Sequence, residues 1–232
     1  MQTTTQRQHN LPPTPPSEPT TASDLHPMAS KADSAVSTFS STSPLTSSPP
    51  RTKHIWVITG PAGCGKTSVA EHLHQTFDLP YLEGDAFHPP GNVKKMAEGQ
   101  PLTDADRWDW LILLRETALE TLLSESSSDG VIVTCSALKR KYRDVMRIAA
   151  YHHPHVRVHF VFLKASEAVL MERVRARQGH YMKDYMVRSQ FESLEIPTEE
   201  ELGRDVLAVD ASGTSEVVKG LALEVVREVM DA

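Results

Sequence analysis

Gly60-Pro61-Ala62-Gly63-Cys64-Gly65-Lys66-Thr67 constrains this chain more than any other stretch. It reads G-x-x-x-x-G-K-[ST], the phosphate-binding P-loop. A short apolar, β-prone run precedes it, His54-Ile55-Trp56-Val57-Ile58-Thr59. After it, Val69, Ala70, Leu73 and Phe77 recur at helical spacing on one face. Strand, Gly-rich turn and helix therefore follow in the order the motif requires. Gly60, Gly63 and Gly65 free backbone N–H groups to turn inward, and Pro61, Ala62 and Cys64 complete the same cradle. The positive end of the helix dipole near Lys66 points at the same anion. Lys66 is expected on the β- and γ-phosphates, and the Thr67 hydroxyl on Mg²⁺. The motif specifies a nucleoside triphosphate but leaves the phosphoryl acceptor open.

The remaining pattern alternates strands with helices. Strands are expected at 79–85, 131–135, 156–163 and 206–209. Helices are expected at 92–98, 104–123, 139–151, 166–177 and 183–194, with a last one carrying Val218, Leu221, Val225 and Val229 on one face. On the helix over 104–123 the apolar stripe is Trp108, Leu111, Ile112, Ala118, Leu119 and Leu122, interrupted by Arg115. This is an α/β domain on a parallel sheet flanked by helices. No internal repeat is visible.

Residues 1–52 read differently. Leu11-Pro12-Pro13-Thr14-Pro15-Pro16 and Ser37-Thr38-Phe39-Ser40-Ser41-Thr42-Ser43 carry too little apolar surface to offset chain entropy, so a disordered tail is expected before a domain over 53–232. The tail lacks the arginines of a mitochondrial leader and the apolar core of a secretory signal. A cytoplasmic protein is therefore expected. With 232 residues and a formal charge of −6, the chain suits one domain and lacks the basic balance of a nucleic-acid binder. No run approaches the ~20 apolar residues of a membrane span. Two cysteines, Cys64 and Cys135, make no disulfide framework and are expected as free thiols. Lys66 and the helix dipole would lower the Cys64 pKa.

The acceptor should bind outside the carboxyl ends of the strands, facing the P-loop. Asp85 falls at such an end. A carboxylate there can take a proton from an attacking hydroxyl and help hold Mg²⁺ through water. Its structural alternative is an N-cap. Strand three ends in Cys135-Ser136-Ala137-Leu138-Lys139 without the usual Walker-B aspartate, which leaves Asp85 the leading carboxylate. Lys139, Arg143 and Arg147 recur every fourth residue and would share a basic face suited to an anionic acceptor, or else form a solvated surface. Arg107 is a further candidate for clamping a carboxylate. Arg173, Arg177 and Lys183 flank Gly179-His180 where a lid would close over the triphosphate. His152, His153, His155 and His159 match no metal-ligand spacing.

Taken together these blocks resemble the small P-loop gluconokinases, relatives of shikimate and adenylate-type kinases. The resemblance is carried by the P-loop, Glu83-Gly84-Asp85 with His88-Pro89, and Asn92 through Lys95-Met96 to Gly99-Gln100-Pro101-Leu102. It continues through Asp104-Ala105-Asp106-Arg107 with Trp110-Leu111, Cys135 to Lys139 with Tyr142-Arg143-Asp144, Gly179-His180-Tyr181, and Gln190 to Glu195 with Pro197. It implies ATP- and Mg²⁺-dependent phosphorylation of D-gluconate at its 6-hydroxyl, feeding the pentose phosphate pathway. It also implies a CORE with a LID like that of nucleoside monophosphate kinases, commonly as a homodimer. Carried over, Lys66 and Asp85 are catalytic and His88, Arg107, Lys139 and Arg143 lie on the substrate side. Arg173 and Arg177 are lid residues that bind ATP. The competing readings are another small-metabolite or nucleotide kinase on this fold, and a P-loop switch. The switch reading lacks a guanine-specificity N-K-x-D.

Overall fold

The computed structural model describes residues 51–124, 128–176 and 184–232. Most of the expected tail lies outside the described residues, as do Arg177, Gly179, His180 and Lys183. Five strands form one parallel sheet: β1 (Lys53–Thr59), β2 (Tyr81–Glu83), β3 (Gly130–Thr134), β4 (Val156–Lys164) and β5 (Val206–Asp210), in the order β2-β3-β1-β4-β5. The register sets Ile55 beside Val131 and Val158, and Leu82 beside Val133.

The helices are α1 (Lys66–Phe77), α2 (Pro90–Ala97), α3 (Trp108–Ser124), α4 (Arg140–Arg147), α5 (Glu167–Ala176), α6 (Asp184–Glu192), α7 (Glu199–Leu202) and α8 (Ser215–Met230). They cover both faces of the sheet, which is why β1 and β3 read as unbroken apolar runs. Trp56 and Ile58 face one core, shared with Val69 and Leu73 of α1, Leu170 of α5 and Val218 of α8. Ile55 and Val57 face the other, with Leu111 and Leu114 of α3 and Tyr142 and Met146 of α4.

Three local expectations shift. On α8 the buried row is Val218, Ala222 and Val226, while Leu221 is exposed. Small Ala222 lets the helix approach the sheet, and a stripe drawn through large aliphatics alone misses it. On α3, Trp110 and Leu114 are buried and Ile112 is exposed. The short helix α7 was not anticipated, although Thr198-Glu199-Glu200-Glu201 is a capping-box sequence. The Thr198 side chain accepts from the Glu201 N–H, and the Glu201 side chain accepts from the Thr198 N–H.

Candidate active site

The P-loop leaves the central strand β1 and wraps the start of α1. Gly60, Gly63 and Gly65 all have positive φ, from 84° to 141°, so the cradle uses backbone conformations that L side chains resist. Lys66 Nζ donates to the carbonyls of Gly60 (3.0 Å) and Pro61 (3.2 Å). The N–H of Ala62 donates to Gln190 Oε1 on α6 at 2.7 Å.

A cleft of about 240 Å³ opens beside this loop. Gly63, Gly65, Lys66 and Thr67 line its phosphate end, and Asp85, His88, Arg107, Trp110 and Ser136 line the rest. The sheet makes this juxtaposition, because β2 and β1 both run parallel to β3 and present their carboxyl ends at the same edge.

Asp85 sits on a single 3₁₀ turn, Gly84–Phe87, at the end of β2. That turn has no side-chain cap, and α2 starts from Pro89 without one, so the capping alternative for Asp85 has no hydrogen bond behind it. Gly84 is required for contact: a Cβ there would lie 1.9 Å from the Thr134 carbonyl oxygen. The Trp110 indole N–H donates to the Gly84 carbonyl at 2.8 Å, and the Trp110 ring stacks on His88 at 4.0 Å. Burial, aided by the Arg107 charge, pulls the His88 pKa below its ordinary value, with Asp85 acting the other way.

Sequence reasoning missed Glu83. Its carboxylate accepts from the hydroxyls of Thr67 (3.2 Å), Tyr81 and Thr134. Burial and the bond to Glu83 push the Tyr81 phenol pKa up. Through Thr134 the Glu83 carboxylate is tied to the end of β3, where a Walker-B aspartate is absent. The signal was Glu83-Gly84-Asp85 itself, two carboxylates at one strand end. The hydroxyl of Thr67 and the carboxylate of Glu83 form an all-oxygen donor set, the chemistry a hard cation such as Mg²⁺ requires.

The basic face expected from Lys139, Arg143 and Arg147 is not an open anion site. Arg143 is 1% exposed and its fork grips Glu201 with two 2.8 Å bonds. Arg143 is buried with that partner and does not line the cleft. Arg147 spans Glu201, Asp205 and Asp144. Lys139 pairs with Asp104 at 3.1 Å and does not line the cleft. Asp104 also accepts from Lys141 and the Tyr142 hydroxyl. Arg107 does line the cleft, where it donates to the carbonyls of Leu102 and Thr103.

Arg173 donates to the carbonyls of Ala211 (2.7 Å), Ser212 (3.0 Å) and Gly213 (2.5 Å), holding the loop between β5 and α8. With Gly63, Gly65, Ser68 and Thr214 it lines a second hollow of about 150 Å³ beside the P-loop. Cys64 departs from expectation. Burial raises its thiol pKa, and the opposing pull of Lys66 is the smaller effect. Cys135 is pushed up to about 12 by the same cause.

The AAA domain family matches residues 55–195, which span the P-loop and the whole cleft. The chain is 40% identical to a probable gluconokinase of Schizosaccharomyces pombe, over 77% of this chain and 91% of the relative. It is 37% identical to the thermoresistant gluconokinase of Escherichia coli K12, over 75% of this chain and 94% of that one. The chain belongs to the gluconokinase family. The crystal structure of a gluconokinase from Sinorhizobium meliloti superposes with a TM-score of 0.66 at 39% identity, covering 78% of this chain and 95% of that chain. Membership makes the chain an ATP-binding P-loop kinase. Among the described residues no helix is long and apolar enough to cross a membrane.

Proposed function

We propose that residues 53–232 transfer the γ-phosphoryl group of ATP to the 6-hydroxyl of D-gluconate, giving 6-phospho-D-gluconate and ADP. One observation carries the reading. A single cleft holds the P-loop Lys66 and Thr67 at one end and the acceptor-side Asp85, His88 and Arg107 along the rest. The names borne by the relatives supply the substrate.

In this reading the carboxylate of Asp85 takes the proton of the attacking hydroxyl. The hydroxyl oxygen bonds to the γ-phosphorus as the bond to the β-phosphate oxygen breaks, and ADP leaves with that electron pair. Lys66 exchanges its two carbonyl partners for phosphate oxygens, and its fixed charge stabilises the transferring group. His88 and Arg107 orient the sugar acid, Arg107 as a donor to its oxygens. Thr67 and Glu83 would hold Mg²⁺, with Asp85 reaching it through water. The ion, when bound, neutralises charge on the phosphates. The cytoplasmic setting and the homodimer rest on the sequence and the family resemblance.

The test is ADP release over a panel of acceptors: D-gluconate, shikimate, adenosine 5′-phosphosulfate and nucleoside monophosphates. Release that depends on gluconate alone is expected. Equal or faster turnover of another acceptor would replace gluconate as the substrate.

A further inference from the structure

Asn92 is a buried polar residue, only 5% exposed, on the first turns of α2. Its amide has one determined orientation. The Asp106 carbonyl oxygen, 2.6 Å away, can only accept, so the atom facing it is the Nδ2 donor. The same Nδ2 lies 3.4 Å from Nδ1 of His88. An amide NH₂ has two hydrogens and no acceptor capacity, so Nδ1 must be the unprotonated ring nitrogen. The ring plane is held by its stack on Trp110 at 4.0 Å, and Trp110 is itself tied to Gly84, so the bond to Asn92 is what selects the ring edge that faces the amide.

We propose that Asn92 is a positioning residue that locks His88 in the tautomer with Nδ1 accepting and Nε2 bearing the proton. His88 lines the cleft beside Asp85, so its Nε2–H becomes a fixed donor for a hydroxyl or carboxylate oxygen of the acceptor. The acceptor's oxygen is read by a donor, whereas the neighbouring Asp85 carboxylate can only accept. The pair can therefore tell two oxygens of a polyhydroxy acid apart, one giving a proton and one receiving a hydrogen bond. The Asn92-to-Asp106 bond couples this arrangement to the turn that carries Arg107, the other acceptor-side donor. This deepens the proposed function and rests on His88 facing the acceptor.

The test is ¹⁵N NMR of the histidine side chains in the ligand-free full chain at neutral pH, with His88→Gln identifying one signal among the eleven histidines. The expected spectrum shows His88 protonated at Nε2. Asn92→Ala should give a mixture of tautomers. It should raise the gluconate KM about tenfold, the scale of one lost hydrogen bond, with the ATP KM unchanged. A wild-type His88 protonated at Nδ1 would overturn the proposal. So would an Asn92→Ala protein with the Nε2–H signal and gluconate KM intact, even at a lower melting temperature, since that is the mark of a merely structural residue. The wild-type spectrum, assigned with His88→Gln, requires no substrate. It therefore decides the tautomer separately from the question of whether gluconate is the acceptor.

Discussion

The hydroxyl of Thr67 lies 3.2 Å from a carboxylate oxygen of Glu83, so the P-loop and the end of β2 are joined where the triphosphate's cation would sit. Glu83→Gln keeps the size of the side chain but removes its charge and turns one accepting oxygen into a donating NH₂. The Mg²⁺ concentration for half-maximal activity should rise roughly 10- to 100-fold, the range for residues that orient metal ligands. Titration of activity with Mg²⁺ at saturating ATP measures this. An unchanged requirement would confine Glu83 to tying Tyr81, Thr67 and Thr134 together.

Asp85→Asn separates a base from a structural group. Asn can accept a hydrogen bond but cannot take the hydroxyl proton. Single-turnover phosphoryl transfer with saturating gluconate should fall about 10²- to 10⁴-fold, with melting temperature and nucleotide binding preserved. Turnover within about threefold of the parent, well below the general-base range, would move the base elsewhere in the cleft.

Arg143 is predicted to matter for stability and not for substrate. Arg143→Ala leaves Glu201, which is 0% exposed, without its bidentate partner. A loss of about 3–5 kcal/mol in urea unfolding is expected, the cost of breaking a buried pair. A loss near zero together with a raised gluconate KM would restore Arg143 to the substrate side.

His159 gives the fold an acid limit. It stacks on Trp56 at 4.5 Å and bonds to His54 at 3.0 Å. Burial, helped by His54 and Arg157 and opposed by Asp205, pulls its pKa down to about 4. His54 is lowered too, chiefly by burial, with Arg157 acting the same way and Asp129 against. The unfolded chain protonates near the ordinary value of about 6.5. The stability gained from the neutral ring is therefore complete above about pH 6.5 and is lost as pH falls toward 4. Melting temperature should drop through that window, and less steeply in His159→Phe. Parallel slopes for the two proteins would contradict the assignment.

These outcomes also mark how far the sequence could be read. The P-loop was legible because its chemistry is contiguous, from Gly60 to Thr67. The sheet was legible because β1 and β3 are apolar on both faces. The place of Asp85 in the cleft was legible from its position at a strand end. Glu83 was not, because its partners lie far along the chain: Thr67, at the start of α1, is 16 residues away, and Thr134, on the adjacent strand β3, is 51. Arg143 misled for the same reason: helical spacing grouped it with Lys139 and Arg147, while its partner Glu201 is 58 residues on. Cys64 misled because charge was weighed without burial.

The central claim is phosphoryl transfer to one hydroxyl of gluconate. The direct measurement is ³¹P NMR of wild-type protein supplied with ATP, Mg²⁺ and D-gluconate. A phosphomonoester signal should grow in step with ADP and show coupling to the two protons on carbon 6. ADP formation with no such ester, or an ester coupled to the single proton of one of the secondary carbons 2–5, would contradict the account.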